Sequence, residues 1–322
     1  MARLKIHPMA TRLALREYLP FASLLLAWTL LGLAIGHADV VRLIAANAFV
    51  QAVRAIGTLE VMPLLGKRTH GTATVYSASI RRALKFDGLS LLVCALLIAL
   101  VVGFLLLRGM DKAAIMVAVI ACAIPARHGA ALAIARRNRH VFWKLGSSVV
   151  AVAGAGLVLL LGLHWMAAAI VLAARDWGGL LATALFSDQR RDETPAPPEP
   201  LTFAEAASRT EASARRQLSY RLIKSIAGIA LGPFGNIAAR TGRSAGKLHS
   251  RLARLVPRNR PSTIAFTVIT AVVGGFFLLW SREPFALLAG AAFIRLAATG
   301  GAILLWWNYA DGQIDDEDDD DE

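Results

Sequence analysis

Five stretches of this chain, 21–36, 89–107, 146–162, 262–280 and 285–294, run without a charged residue. None keeps the polar face, at 3.6-residue spacing, that a helix on a soluble core turns toward water. A hydrocarbon core about 30 Å thick takes roughly 20 residues of helix to cross. Extended to the flanking charges and turn residues, the pattern predicts helices near 19–36, 40–66, 88–107, 113–135, 146–163, 165–186, 262–280 and 285–307. The region 146–186 reads either as one long helix ending at Arg175 and Asp176 or as two that turn at "GLHW", 162–165. One helix would leave only "WGGLLATALF" before the next polar stretch, too short to cross, so two are expected. The fold class is all-α: a polytopic helical membrane protein of about eight transmembrane helices.

Composition agrees, with 56% of the 322 residues hydrophobic and only 18% charged. The net charge of +13 would point to nucleic acid if it covered one globular face, but it falls in the gaps between apolar runs. Four Lys and Arg precede the first run, five lie in 67–87, four in 136–144 ("RRNRHVFWK") and fourteen in 187–260. The alternate turns hold little beyond Arg108, Lys112 and Arg282. This asymmetry is the positive-inside pattern, with both termini cytosolic, and no nucleic-acid partner is expected. The Ala- and Arg-rich style suggests a bacterial cytoplasmic membrane. The sequence "GHA" before Asp39 loosely matches a signal-peptidase site, but the leading basic region is longer than a cleaved signal's, so an uncleaved first helix is expected.

Four regions follow: a six-helix membrane bundle, 1–186; a basic cytosolic linker with amphipathic helices, 187–260; a two-helix membrane hairpin, 261–308; and an acidic disordered tail, 309–322. The linker opens on the Pro-rich, charged "SDQRRDETPAPPEP". It continues into a helix with Thr202 as cap and Glu205 three residues on, where Leu218, Leu222, Ile226 and Ile229 form one stripe. Arg215, Arg216, Arg221 and Lys224 flank that stripe. A second basic piece carries Lys247, Arg251 and Arg254 around Leu248, Leu252 and Leu255. Two placements are open: in the interface, where each basic group near anionic lipid is worth roughly 1 kcal/mol, or in a cytosolic subdomain with the stripes packed on each other.

Enzyme signals fail. "GRSAGKLHS" has too few residues between Gly242 and Gly246 for a phosphate loop, and Leu248 stands where Ser or Thr must reach magnesium. The seven histidines show no ligand spacing, Cys94 and Cys122 each sit in an apolar run, and no Ser or Cys has a nucleophile's context. No enzyme activity, metal or cofactor is expected.

The polar residues inside helices carry more. Asn47, Gln51, Arg54 and Thr58 share one face of the second helix, Arg175 and Asp176 lie near the centre of the sixth, and Arg295 near the centre of the eighth. A central Arg costs on the order of 3 kcal/mol to insert, so each should meet a partner or a wet cavity. Asn47, Gln51, Arg54, Arg175, Asp176 and Arg295 are therefore the candidate substrate-binding residues. With Asp176 and Glu60 the arginines would line a net positive cavity suited to phosphate or pyrophosphate; static links such as Arg175–Asp176 and Arg54–Glu60 are the structural alternative. Arg127, two residues after Pro125, reads as a weaker candidate that partly snorkels toward the cytosolic turn. Gly32 and Gly36, Gly154 and Gly156, and Gly274 and Gly275 suit close helix packing.

From about 20 to 186 the layout resembles the N-terminal half of the polysaccharide flippases, within the superfamily that exports multidrugs and lipid-linked oligosaccharides. The resemblance rests on six helices, the polar second helix "ANAFVQAVRAIGTLEVMPLLGKR", then "IPARHGAALAIARRNRHVFWKLGSSVVAVAGAG" and the close pair ending "LHWMAAAIVLAARDWGG". It implies transport of a polyprenyl-linked sugar, with Arg54, Arg175 and Arg295 on the pyrophosphate. Where that family has a second six-helix bundle, this sequence has the basic insert and two helices, so rocking access takes a homodimer or a partner membrane protein. The competing expectation is a non-catalytic scaffold, whose basic segment recruits partners or anionic lipid.

Overall fold

The computed structural model describes residues 19–58, 73–127, 140–185, 257 and 259–318, together with Leu218, Arg221, Leu222, Ser225, Ile226 and Ile229. Among these residues the regular structure is helical throughout. The helices are α1 (Leu19–Ile35), α2 (His37–Thr58), α3 (Ala73–Leu107), α4 (Asp111–Ala121), α5 (His140–Leu160), α6 (Trp165–Leu185), α7 (Arg260–Trp280) and α8 (Pro284–Asp318). Among the described residues, six segments are long and apolar enough to cross a membrane: 37–57, 88–107, 142–160, 165–185, 260–280 and 284–305. The chain is a multi-pass membrane protein.

Several boundaries differ from the sequence expectation, each for a local reason. The basic loop expected over 67–87 is helical from Ala73, and α8 runs on through Asp318, into the stretch expected to be a disordered tail. No proline interrupts either stretch, and once a helix is nucleated each further residue adds one hydrogen bond. Helix α5 likewise begins six residues early, at His140, while the expected end of the second helix at 66 lies outside the described residues. The fourth helix, expected over 113–135, breaks instead. Helix α4 has 11 residues, about 16 Å, and gives way to a turn at Cys122–Ala123 before one more helical turn at 124–127. Pro125 has no N–H for the carbonyl of Ala121 and its ring crowds that group. The chain tightens to three-residue hydrogen bonds, Cys122 N to Val119 O at 3.2 Å and Ala123 N to Ile120 O at 3.0 Å.

Two compact units emerge, one from residues 1–40 and 119–192, the other from 41–118 and 193–322. In the first, α1 packs on α5 and α5 on α6. The expected turn at "GLHW" is present: Gly162 has φ +60°, and its neighbours close the helix end through Leu163 N to Val158 O at 2.9 Å. Helices α5 and α6 approach closely at their glycines, where a further side chain has no room. A Cβ on Gly178 would stand 2.4 Å from Val150 Cγ2, and one on Gly146 2.6 Å from the Gly178 carbonyl oxygen.

In the second unit, α7 and α8 form a hairpin packed along its length. Asn259 starts α7 with a capping box: its Oδ1 accepts from Ser262 N at 3.0 Å, while Ser262 Oγ accepts from Asn259 N at 3.3 Å. Gly290 and Gly300 seat Leu278 and Thr267, and Arg260 lies 5.5 Å over the Trp307 ring. At the other end, Arg108 Nη2 donates to Leu279 O at 2.5 Å, so the Leu107 end of α3 and the Trp280 end of α7 lie on one side. Of the glycines expected at interfaces, Gly154 and Gly274 serve there, while Gly32, Gly156 and Gly275 have no atom within 4 Å of a Cβ position. Gly36 instead turns the chain between α1 and α2, at φ +81°.

The described part of the basic linker's stripe packs on the α7–α8 hairpin. Leu218 and Leu222 are buried with Leu296 and Ile303 of α8, with Phe266 and Phe293 packed against them. Ile226 is exposed and Ile229 half-buried. The second amphipathic piece lies outside the described residues.

Candidate functional site

Helix α6 carries Asp176 eleven residues beyond Trp165, about 16 Å along the axis and so near mid-span. A carboxylate at that depth needs cations or donors, because hydrocarbon offers it no water. It has two arginines. Arg127 Nε donates to Asp176 Oδ2, with both side chains only 5% exposed. Arg175 reaches the other oxygen, Oδ1, through Nη2 at 3.3 Å and Nε at 3.4 Å, and its side chain is 19% exposed. These three groups sum to one positive charge.

The break after α4 builds this cluster. It redirects the chain just before Arg127 and frees the carbonyl of Cys122, which accepts from Trp177 Nε1 at 3.0 Å. Trp177 follows Asp176 on α6, so neighbouring residues of one helix serve both the irregular backbone and the buried cation. An unsatisfied carbonyl in hydrocarbon would cost several kcal/mol on the order of the amide transfer penalty.

The sequence candidates divide between the units. Arg175 and Asp176 meet in the first unit, in the direct link that the sequence left open as the structural alternative to ligand binding. Arg127 does not snorkel to the surface: it is buried on Asp176, and the reading of it as a weaker candidate is corrected. The available signal was Pro125, which breaks the helix that would otherwise have carried Arg127 on a regular face toward the turn. Asn47, Gln51 and Arg54 are half-buried on α2, and Arg295 half-buried on α8, all in the second unit. Glu60, Arg215, Arg216, Lys224, Lys247, Arg251 and Arg254 lie outside the described residues. Arg221 is half-buried, and its Nη1 donates to Thr299 Oγ1 at 2.7 Å. Among the described residues no group of three or more His, Cys, Asp or Glu could hold a metal ion, and neither Cys94 nor Cys122 is in a disulfide. Cys94 Sγ donates to Val53 O at 3.9 Å, joining α3 to α2.

Chemically the cluster is asymmetric. Arg127 is committed to the carboxylate in a closed environment. Arg175 makes two longer contacts and keeps exposed surface, so it has guanidinium donors to offer an arriving anion. No protein-family model matches the chain, and no curated protein or solved structure is significantly similar to it.

Proposed function

We propose that this protein is a transporter-like, flippase-like component that handles an anionic lipid-linked saccharide in envelope polysaccharide export, at a bacterial cytoplasmic membrane. The observation that carries the reading is the buried Arg127–Asp176–Arg175 cluster beside a broken helix. Interrupted helices are where many transporters place their ligand sites, because backbone freed inside a membrane must line a cavity or be covered by protein. An excess cation there suits a phosphate or pyrophosphate. Arg175 turns to the ligand while Arg127 keeps Asp176 paired, so substrate enters without leaving a bare carboxylate in the membrane. Rocking access is completed by a second copy or a partner membrane protein.

The test is translocation of a fluorescent polyprenyl-pyrophosphate sugar in proteoliposomes of the full chain. Arg175→Gln should slow it tenfold or more, and Arg175→Lys should restore part of the rate by returning the charge without the planar fork. Wild-type rates in Arg54→Gln, Arg175→Gln and Arg295→Gln alike would exclude the reading. A second reading, a membrane scaffold acting through its basic segment, is supported by the seating of Leu218 and Leu222 on the hairpin, which anchors that segment to the membrane domain. It requires that deletion of 201–260 abolish function while the three arginine variants remain active.

A further inference from the structure

The α7–α8 hairpin carries a third helical piece along its side. The sequence 218–229 contains no acidic residue and sets Leu218, Leu222, Ile226 and Ile229 at helical spacing. Leu218 and Leu222 are buried with Leu296 and Ile303 of α8, and Phe266 of α7 and Phe293 of α8 pack against them. Between the two leucines, Arg221 Nη1 donates to Thr299 Oγ1 at 2.7 Å. All the α8 partners lie inside the apolar span 284–305. Ile303 stands two residues before the end of that span, Thr299 six and Leu296 nine, about 3, 9 and 13.5 Å along the helix. On α7, Phe266 lies six residues inside Arg260, again about 9 Å. The segment is therefore seated beside the apolar part of the hairpin, below its wet end.

Protein cover then runs out. One turn beyond the buried Leu222, Ile226 is 48% exposed, and Ile229 is half-buried. Burying an aliphatic side chain is worth about 1.5–3 kcal/mol, and a water-covered Ile226 would forfeit much of that. At the boundary between headgroups and acyl chains the lipid provides the cover instead. Amphipathic helices rest about 5–10 Å into that boundary, which is the level of Thr299 and Phe266. The polar contact fits the same depth. A guanidinium among apolar groups needs acceptors from the protein, and the Thr299 hydroxyl is one for Arg221.

We propose that 218–229 is a lipid-embedded helix, docked on one side to the α7–α8 hairpin and covered along Ile226 and Ile229 by the acyl chains of membrane lipid. The hairpin supplies the seat, and the bilayer completes the apolar surface that the protein leaves open. Lipid is thus a structural partner of the basic segment, which enters the membrane domain here instead of standing in water as a separate subdomain. The site is distinct from the Arg175 cluster and does not depend on the transport reading.

The experiment uses the full chain in proteoliposomes, with Cys94 and Cys122 replaced by Ser and a single bimane-labelled cysteine. Ile226→Cys is compared with Ile264→Cys, at a 51% exposed position in the α7 span, and with Glu283→Cys, in the exposed hairpin turn. Lipids brominated on their acyl chains should quench the label at 226 to within twofold of that at 264. Aqueous iodide should quench it at least threefold less than the label at 283. Ile229→Cys repeats the measurement should the first variant fold poorly. Absence of quenching by brominated lipid overturns the proposal in either form: strong iodide quenching would place the segment in water, and quenching by neither would mean that a second copy or another part of the chain covers it. Lipid contact, not translocation, is read out, so this failure is distinct from failure of the transport reading.

Discussion

Asp176 places one carboxylate oxygen on each of two arginines, and the two contacts are unequal in a way that bears on stability. Removing one partner of a buried ion pair strands the other charge, which costs about 3–5 kcal/mol, whereas replacing both by apolar groups is often neutral. Arg127→Leu is therefore expected to lower the unfolding midpoint in detergent sharply. Adding Asp176→Leu should recover much of the loss, a coupling that a double-mutant cycle measures directly. Additive losses would show that the pair is not a unit. The Arg175–Asp176 contact was legible in the sequence because the two residues are neighbours in a central apolar run. Arg127 was not, since its burial depends on how Pro125 redirects the backbone and on Trp177 accepting that redirection by covering the Cys122 carbonyl. Neither is a property of spacing.

Helix centres were readable because a run of uncharged residues has a single solution in lipid; helix ends were not, because nothing in hydropathy stops a helix at the edge of the apolar run. Helices α3 and α8 show this, each continuing through charged sequence that contains no proline. Glycine roles were similarly half-visible. Composition marks small residues, but only geometry tells which of them face a neighbour. Gly178→Ala inserts a methyl 2.4 Å from Val150 Cγ2 and close to the α5 backbone, an overpacking expected to cost about 1–3 kcal/mol. Gly156→Ala, in open space on α5, should leave stability unchanged or raise it by up to about 1 kcal/mol through helix propensity. Thermal unfolding of the two variants side by side checks the assignment. A Gly178→Ala protein as stable as Gly156→Ala would mean that α5 and α6 do not meet through these glycines.

For the molecule as a whole, the informative element is the shortest one. Helix α4 spans only about 16 Å before its break, yet the chain's topology turns on whether the segment from Asp111 onward crosses the bilayer. If it does not cross, the turn after Leu107 and the basic turn of Arg136, Arg137, Arg139 and Lys144 face the same side. Arg108 and Lys112 would then share that side with four further cations and with the fourteen of 187–260, leaving ten Lys and Arg on the face of the N-terminus, a reversal of the positive-inside pattern. If it crosses as a broken helix, the two turns lie on opposite faces. The break then falls near mid-membrane, where its freed carbonyl has to be covered by protein, as Trp177 covers it. Crossing is therefore the expected arrangement. In a variant with Cys94 and Cys122 replaced by Ser, a cysteine at Lys112 should react with a membrane-impermeant maleimide added outside intact cells. One at His140 should react only after the membrane is opened. Labelling of both positions from the same side would remove α4 from the transmembrane set. The Arg127–Asp176 cluster would then sit beside a re-entrant segment, and its access to ligand would be confined to one face of the membrane.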